Sequence, residues 1–194
     1  SDGVFLVNDT NRSIAIEDLV RRLAQPGQMH RLNCVHSYET KGATYPYGCH
    51  IVEVEIDKTT CAIQIVRYSV MDDFGVVINP MTLAGQIHGG IAQGVGQALL
   101  ENVVYDESGQ LLAGSLMDYA LPRADHFPDF EIDMRNTPCA NNLLGIKGAG
   151  EAGTIGAMPC VMNAAIDALS SLGINQLDMP LTPGRVWQAI NAAS

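Results

Sequence analysis

The sequence predicts an α+β fold: antiparallel hairpins with helices packed against them. Three observations carry this. Two alternating stretches, 49–56 and 61–71, meet across the polar turn Asp57-Lys58-Thr59-Thr60. A long helical stripe follows at 81–101, and a further strand and two helices come later, with no strict strand–helix alternation.

Taken in order, residues 3–8 (GVFLVN) read as a short strand. Residues 16–24 (IEDLVRRLA) read as a helix with Ile16, Leu19, Val20 and Leu23 on one face, ended by Gln25-Pro26-Gly27. Residues 28–47 have weak periodicity and carry the Tyr45-Pro46-Tyr47 turn, as a connecting segment would. The expected division is therefore 1–47, a strand–helix unit with its connector, and 48–194, the main domain. In 49–56 (CHIVEVEI), Val52, Val54 and Ile56 alternate with Glu53 and Glu55, the mark of a half-buried strand. Residues 61–71 (CAIQIVRYSVM) form its antiparallel partner, and Asp72-Asp73-Phe74-Gly75 breaks the pattern before Val76-Val77-Ile78.

In 81–101, Leu83, Ala84, Ile87, Ile91, Val95, Ala98 and Leu99 recur at helical spacing. Asn79 suits the N-cap and Pro80 the first helical position. Residues 102–105 and 110–113 flank Asp106-Glu107-Ser108-Gly109, a second hairpin signal. Residues 129–135 (DFEIDMR) alternate as a strand. From 157 onward Pro159 is expected to open a helix with Met162, Ala165, Ile166 and Leu169 toward the core, closed by Gly173. Thr182-Pro183 opens a last helix ending near Asn191.

With 47% apolar and 16% charged residues the composition is globular. A net charge of −10 argues against a nucleic-acid surface, which needs Lys and Arg to meet phosphates. No unbroken apolar run approaches the roughly 20 residues of a membrane span. The N-terminal Ser1-Asp2-Gly3-Val4-Phe5 lacks the basic-then-apolar pattern of a signal peptide. Five cysteines, at 34, 49, 61, 139 and 160, show neither CxxC nor close Cys/His spacing. Fe–S or structural zinc binding by this chain alone is thus not expected, and the scattered odd set suits a reducing cytoplasm.

Two glycine-rich stretches are where chemistry would sit. Helix 81–101 carries Gly85-Gln86, Gly89-Gly90, Gln93-Gly94 and Gly96-Gln97. Each interior glycine costs about 1 kcal/mol relative to alanine, so something must approach that backbone closely, another helix or a ligand. Gln86 and Gln93, seven apart, share a face; the plain alternative is tight helix packing with glutamines as exposed filler. The second stretch is Gly145-Ile146-Lys147-Gly148-Ala149-Gly150-Glu151-Ala152-Gly153. It is not a Walker loop, because Lys147 lies inside the glycines and no Lys-Ser/Thr pair closes them, which disfavours a phosphate- or nucleotide-binding protein. Glu151 reads either as a cap of the next helix or as a positioned carboxylate base. Asp72-Asp73 fit turn formers, and His30, His36, His50, His88 and His126 show no ligand spacing and read as structural. Tyr45, Tyr47 and Tyr119 could line a pocket or simply pack.

GQIHGGIAQGVGQALLE (85–101) and GIKGAGEAG (145–153), in this order, resemble the C-terminal part of the large subunit of molybdenum hydroxylases, the xanthine dehydrogenase/aldehyde oxidase family. YPYGCH (45–50), DDFGVVINPMT (72–82), SLMDYALPRAD (115–125) and MPLTPGRVWQAI (179–190) are most similar to its carbon monoxide dehydrogenase-like branch. One departure is Phe74, where the family commonly has Cys; it is expected to change packing only.

The resemblance implies oxidative hydroxylation of a small-molecule substrate with water as oxygen source. It makes Glu151 the base and Gln86 a pterin contact, with Gln93, Lys147 and Gly150 lining the same cofactor pocket. Close approach of the pterin would then explain the glycines of helix 81–101. The implied cofactor is molybdopterin, the molybdenum cofactor, in its cytosine dinucleotide form. The implied partners are the remainder of the large subunit, an Fe–S subunit and an FAD subunit. The chain is expected to begin partway through such a subunit, as a fragment or a split subunit, and to be inactive alone. A non-catalytic assembly or interaction domain on the same scaffold is the alternative. Purines, aldehydes, N-heterocycles and CO all stay open as substrates.

Overall fold

In the computed structural model, which describes residues 3–24, 33–39 and 42–193, strand β1 (Val4–Leu6) pairs antiparallel with β2 (Ser13–Ala15). β2 is three residues long, too short to show alternation, and was not foreseen. It runs directly into helix α1 (Ile16–Leu23), whose Glu17 and Asp18 open it and whose Arg21 and Arg22 close it, matching the helix dipole. The expected stop at Gln25-Pro26-Gly27 lies outside the described residues. The chain divides into two units, Ser1–Glu39 and Thr40–Ser194, where the sequence reading put the boundary at 47/48.

The second unit is built on a three-stranded sheet in the order β3 (Tyr47–Ile56), β4 (Ile63–Asp73), β5 (Phe130–Arg135). β3 and β4 form the expected antiparallel hairpin. Its turn is fixed by Asp57, whose carboxylate accepts from the Thr59 and Thr60 amides at 2.7 Å each. On the inner face His50, Val52, Val54 and Ile56 alternate with exposed neighbours. β5 runs parallel to β4, pairing Val70 with Ile132, so the sheet is mixed where the sequence reading expected hairpins alone. A parallel partner requires a crossover, and the chain between β4 and β5 supplies it through α2 (Pro80–Leu99). The second hairpin signal survives only as a single bridge, Tyr105 to Leu111, around Asp106.

α2 begins as the sequence requires: the Asn79 side chain accepts from the Thr82 amide at 3.0 Å and Pro80 opens the helix. Its Ile87, Ile91, Val95, Ala98 and Leu99 are buried. α3 (Ala152–Ser170) packs along it through Gly153, Ala157, Val161, Ala165 and Leu169. α3 corrects an expectation, since Pro159 lies inside it and does not open it. A proline inside a helix costs about 3 kcal/mol. The buried row at four-residue spacing offsets this, and Pro159 itself is on the exposed side. By length and composition α3 is also apolar enough to cross a bilayer, although Thr154, Asn163 and Asp167 interrupt it; here its buried row is part of the core. α4 (Pro183–Ala193) follows Thr182, whose hydroxyl faces the Arg185 amide at 3.4 Å, and buries Val186. Phe74 is also buried, as a packing residue.

Candidate functional site

Glu151 stands at the entrance to helix α3, on the wall of a cavity of about 610 Å³. Tyr45, Pro46 and Tyr47, leading into β3, line it too, with His50 and Asp72 from β3 and β4 and with Gly148, Gly150 and Gly156. All these residues belong to the second unit.

The loop leading to Glu151 is held from several sides. Gly145 takes φ +68°, and its carbonyl accepts from the amides of Val76 and Cys139. The Lys147 amide donates to the Phe74 carbonyl at 2.9 Å, and Asn142 clasps Ile146 through both its amide atoms. Lys147 is the second anchor. Its ammonium is buried, 3.0 Å from Asp73 Oδ1 and 4.5 Å from the centre of the Tyr47 ring. The same carboxylate oxygen accepts from the Gly75 and Thr137 amides at 2.9 and 3.0 Å. Burial alone would raise the Asp73 carboxyl; hydrogen bonds from Thr137 and Gly75, with the Lys147 ammonium, outweigh this and hold it well below the usual carboxylate range.

Beyond these anchors the loop opens. A Cβ built on Gly148 or Gly150 would meet nothing among the described residues within 4 Å, so none of them blocks the approach to Glu151 on that side. The Glu151 carbonyl accepts from the Ile155 amide at 3.0 Å, but its carboxylate makes no capping hydrogen bond. The side chain is exposed. A carboxylate with no partner among the described residues, beside bare backbone, can accept a proton from a bound molecule.

The part of the lining given by His50 and Asp72 was missed in the sequence. On β3 and β4, Gly48 lies opposite Asp72 and Val52 opposite Tyr68, so His50 sits diagonally between Tyr68 and Asp72. His50 Nδ1 is 2.6 Å from the Tyr68 hydroxyl and Nε2 is 3.6 Å from Asp72 Oδ1. Burial pushes the Tyr68 hydroxyl up, with Cys160 and Asp72 adding to it. Asp72 is 2% exposed, and its Oδ2 has no hydrogen-bond partner among the described residues. The available signal was the alternation itself, which puts His50 on the same inward face as Val52 and Val54.

The other expected residues are distributed unevenly. Gly150 lines the cavity with Glu151; Gln86, Gln93 and Lys147 do not. Gln86 and Gln93 are both exposed on α2, and Gln93 Oε1 accepts from the Thr154 hydroxyl at 3.1 Å, one turn beyond Glu151. Gly85 and Gly89 face open space, whereas Gly90 and Gly94 press on α3.

Residues 1–128 match the molybdopterin cofactor-binding domain family. The chain belongs to this family. The matched stretch ends before Glu151, but similarity to individual proteins covers most of the chain. The domain is 39% identical over 159 residues to the carbon monoxide dehydrogenase large chain of Hydrogenophaga pseudoflava, covering 82% of this chain and 20% of that protein. It is 38% identical over 158 residues to the nicotine 6-hydroxylase large subunit of Paenarthrobacter nicotinovorans, covering 81% and 19%. Among solved structures, Cu,Mo-CO dehydrogenase in its carbon monoxide reduced state superposes with a TM-score of 0.77 at 35% identity, covering 80% of this chain and 20% of that one. Quinoline 2-oxidoreductase from Pseudomonas putida 86 gives 0.69 at 43% identity, covering 71% and 18%. This molybdopterin cofactor-binding domain thus spans about a fifth of the length of the relatives it matches.

Proposed function

We propose that this domain supplies the base and one wall of the cofactor pocket in the large subunit of a molybdenum hydroxylase, which hydroxylates a small substrate with water as oxygen source. The observation that carries this is Glu151, whose carboxylate has no partner among the described residues and lines a cavity beside Gly148 and Gly150.

The residues present fit a pterin. Asp72 Oδ2 is a buried acceptor without a partner among the described residues, and a pterin is rich in N–H donors. Gly85 and Gly89 leave the backbone of α2 bare on its open face, beside Gln86 and Gln93, whose amides can both donate and accept. Gln86, Gln93 and Gly150 would hold the group, in its cytosine dinucleotide form. Lys147 would serve the pocket indirectly, by fixing the loop to Asp73. When bound, the cofactor supplies the two-electron oxidant, and electrons leave for Fe–S and FAD subunits. Glu151 takes up a proton from the attacking water-derived oxygen and can release it to solvent, because its side chain is exposed.

The apolar side chains of Leu116, Met117 and Leu143 are 77%, 95% and 98% exposed, which favours burial against the remainder of the large subunit. Co-expression with those segments and the two partner subunits tests the assignment. The expected product is one complex containing molybdenum that reduces an acceptor dye in a substrate-dependent way. A stable complex that carries molybdenum and no turnover on purines, aldehydes, N-heterocycles or CO would favour the assembly role.

A further inference from the structure

We propose that His50 is a positioning residue for Glu151, acting through the first turns of α3. This rests on the reading of Glu151 as the base. Among the described residues the Glu151 carboxylate has no hydrogen bond or ion pair, so there its place is set by its backbone at the start of α3. On the sheet side, that helix end rests against His50. A Cβ built on Gly156 would fall 2.5, 2.6 and 2.7 Å from Nε2, Cε1 and Cδ2 of the imidazole, so the ring packs on the bare Cα of Gly156, five residues after Glu151. Only glycine allows this approach.

The ring in turn is immobilised on the sheet. Its side chain is 5% exposed, and both nitrogens face partners. Nδ1 lies 2.6 Å from the Tyr68 hydroxyl, and Nε2 lies 3.6 Å from Asp72 Oδ1. Tyr68 is fully buried and meets the ring edge-on at 5.7 Å between centroids. Asp72 can reach His50 because Gly48 stands opposite it: a Cβ there would collide with the Asp72 carboxylate. Two glycines, on β3 and on α3, therefore make room for one His–Asp pair lining the cavity. Displacing a catalytic group by about 1 Å costs up to about a hundredfold in rate, so loss of this seat should be felt at Glu151.

The test uses the complete enzyme with His50→Ala, His50→Gln, Gly156→Ala and the double variant His50→Ala/Gly156→Ala. Turnover per bound molybdenum, KM, molybdenum content and amide hydrogen exchange are measured, with Glu151→Gln as reference. The expected result is a roughly tenfold to hundredfold fall in kcat for His50→Ala and for Gly156→Ala, with KM and molybdenum content retained. The double variant should be no worse than His50→Ala, because the added methyl then has space, and His50→Gln should recover part of the loss. Exchange at residues 151–158 should rise in His50→Ala while α4 stays as protected as before; this reads the contact itself and does not depend on what Glu151 does. Wild-type turnover per molybdenum in His50→Ala would overturn the proposal. So would losses that multiply in the double variant, or unchanged exchange at 151–158. An active Glu151→Gln enzyme would instead remove the base reading, which separates the two failures.

Discussion

Gly90 on α2 and Gly153 on α3 lie backbone to backbone: a Cβ on Gly90 would come within 2.9 Å of the Gly153 Cα, and one on Gly153 within 3.0 Å of the Gly90 Cα. One turn on, a Cβ at Gly94 would meet the Ala157 Cβ at 2.7 Å. Four of the five glycines of α2 thus divide into two sets, while a Cβ on Gly96 would meet Glu101 and Pro122. Gly90 and Gly94 exist for the helix crossing that carries Glu151, while Gly85 and Gly89 have nothing within 4 Å. Attributing all of them to a pterin, as the resemblance suggested, is corrected for the first set.

This division predicts opposite signs for one substitution. Gly90→Ala should destabilise the domain by about 1–3 kcal/mol, because backbone and not a flexible side chain blocks the methyl. Gly89→Ala, in open space on the same helix, should stabilise it by about 0.5–1 kcal/mol through helix propensity. Urea unfolding midpoints at unchanged m-value measure both. Equal effects would show that the crossing is looser than described.

A second prediction concerns acid. The folded Asp73 carboxyl is held below its unfolded value of 3.8, so it contributes stability above that pH and loses it as pH falls toward the folded value. Asp73→Asn should therefore be less stable than wild type near neutrality, with the gap closing between about pH 4 and pH 2. Chemical denaturation across this range checks it. A gap independent of pH would assign the loss to packing.

How far the sequence was legible follows from the range of the interactions involved. The β3–β4 hairpin and α2 were readable because alternation, an Asp turn and an Asn-Pro cap are local signals. The parallel docking of β5 was not, because the pairing of Val70 with Ile132 depends on a crossover of more than fifty residues. Pro159 misled, since its local cost is overridden by a buried row visible only once α2 is in place. At the site, the Glu151 loop was marked by its glycines. His50 and Asp72 were passed over because their meaning lies in Gly48 and Gly156, residues that matter by lacking a side chain. The resemblance makes Lys147 a pocket residue; its ammonium pairs with Asp73 and stands over the ring of Tyr47, which lines the cavity.

Cofactor retention gives a third prediction. One wall of a pocket offers few of the polar anchors a pterin needs, so the 194-residue chain alone should fold but hold no stoichiometric molybdenum. Circular dichroism and elemental analysis of the purified chain check both halves. Stoichiometric molybdenum would mean that the cavity beside Glu151 is a complete site.

The account depends most on the Glu151 carboxylate, and Glu151→Gln in the complete enzyme tests it most directly. The amide keeps the shape and cannot accept a proton near neutral pH. Since the carboxylate makes no cap bond, the fold and the molybdenum content should be unchanged. Turnover per bound molybdenum should fall at least about a hundredfold. Turnover close to wild type in a fully loaded Glu151→Gln enzyme would contradict the assignment of Glu151 as the base.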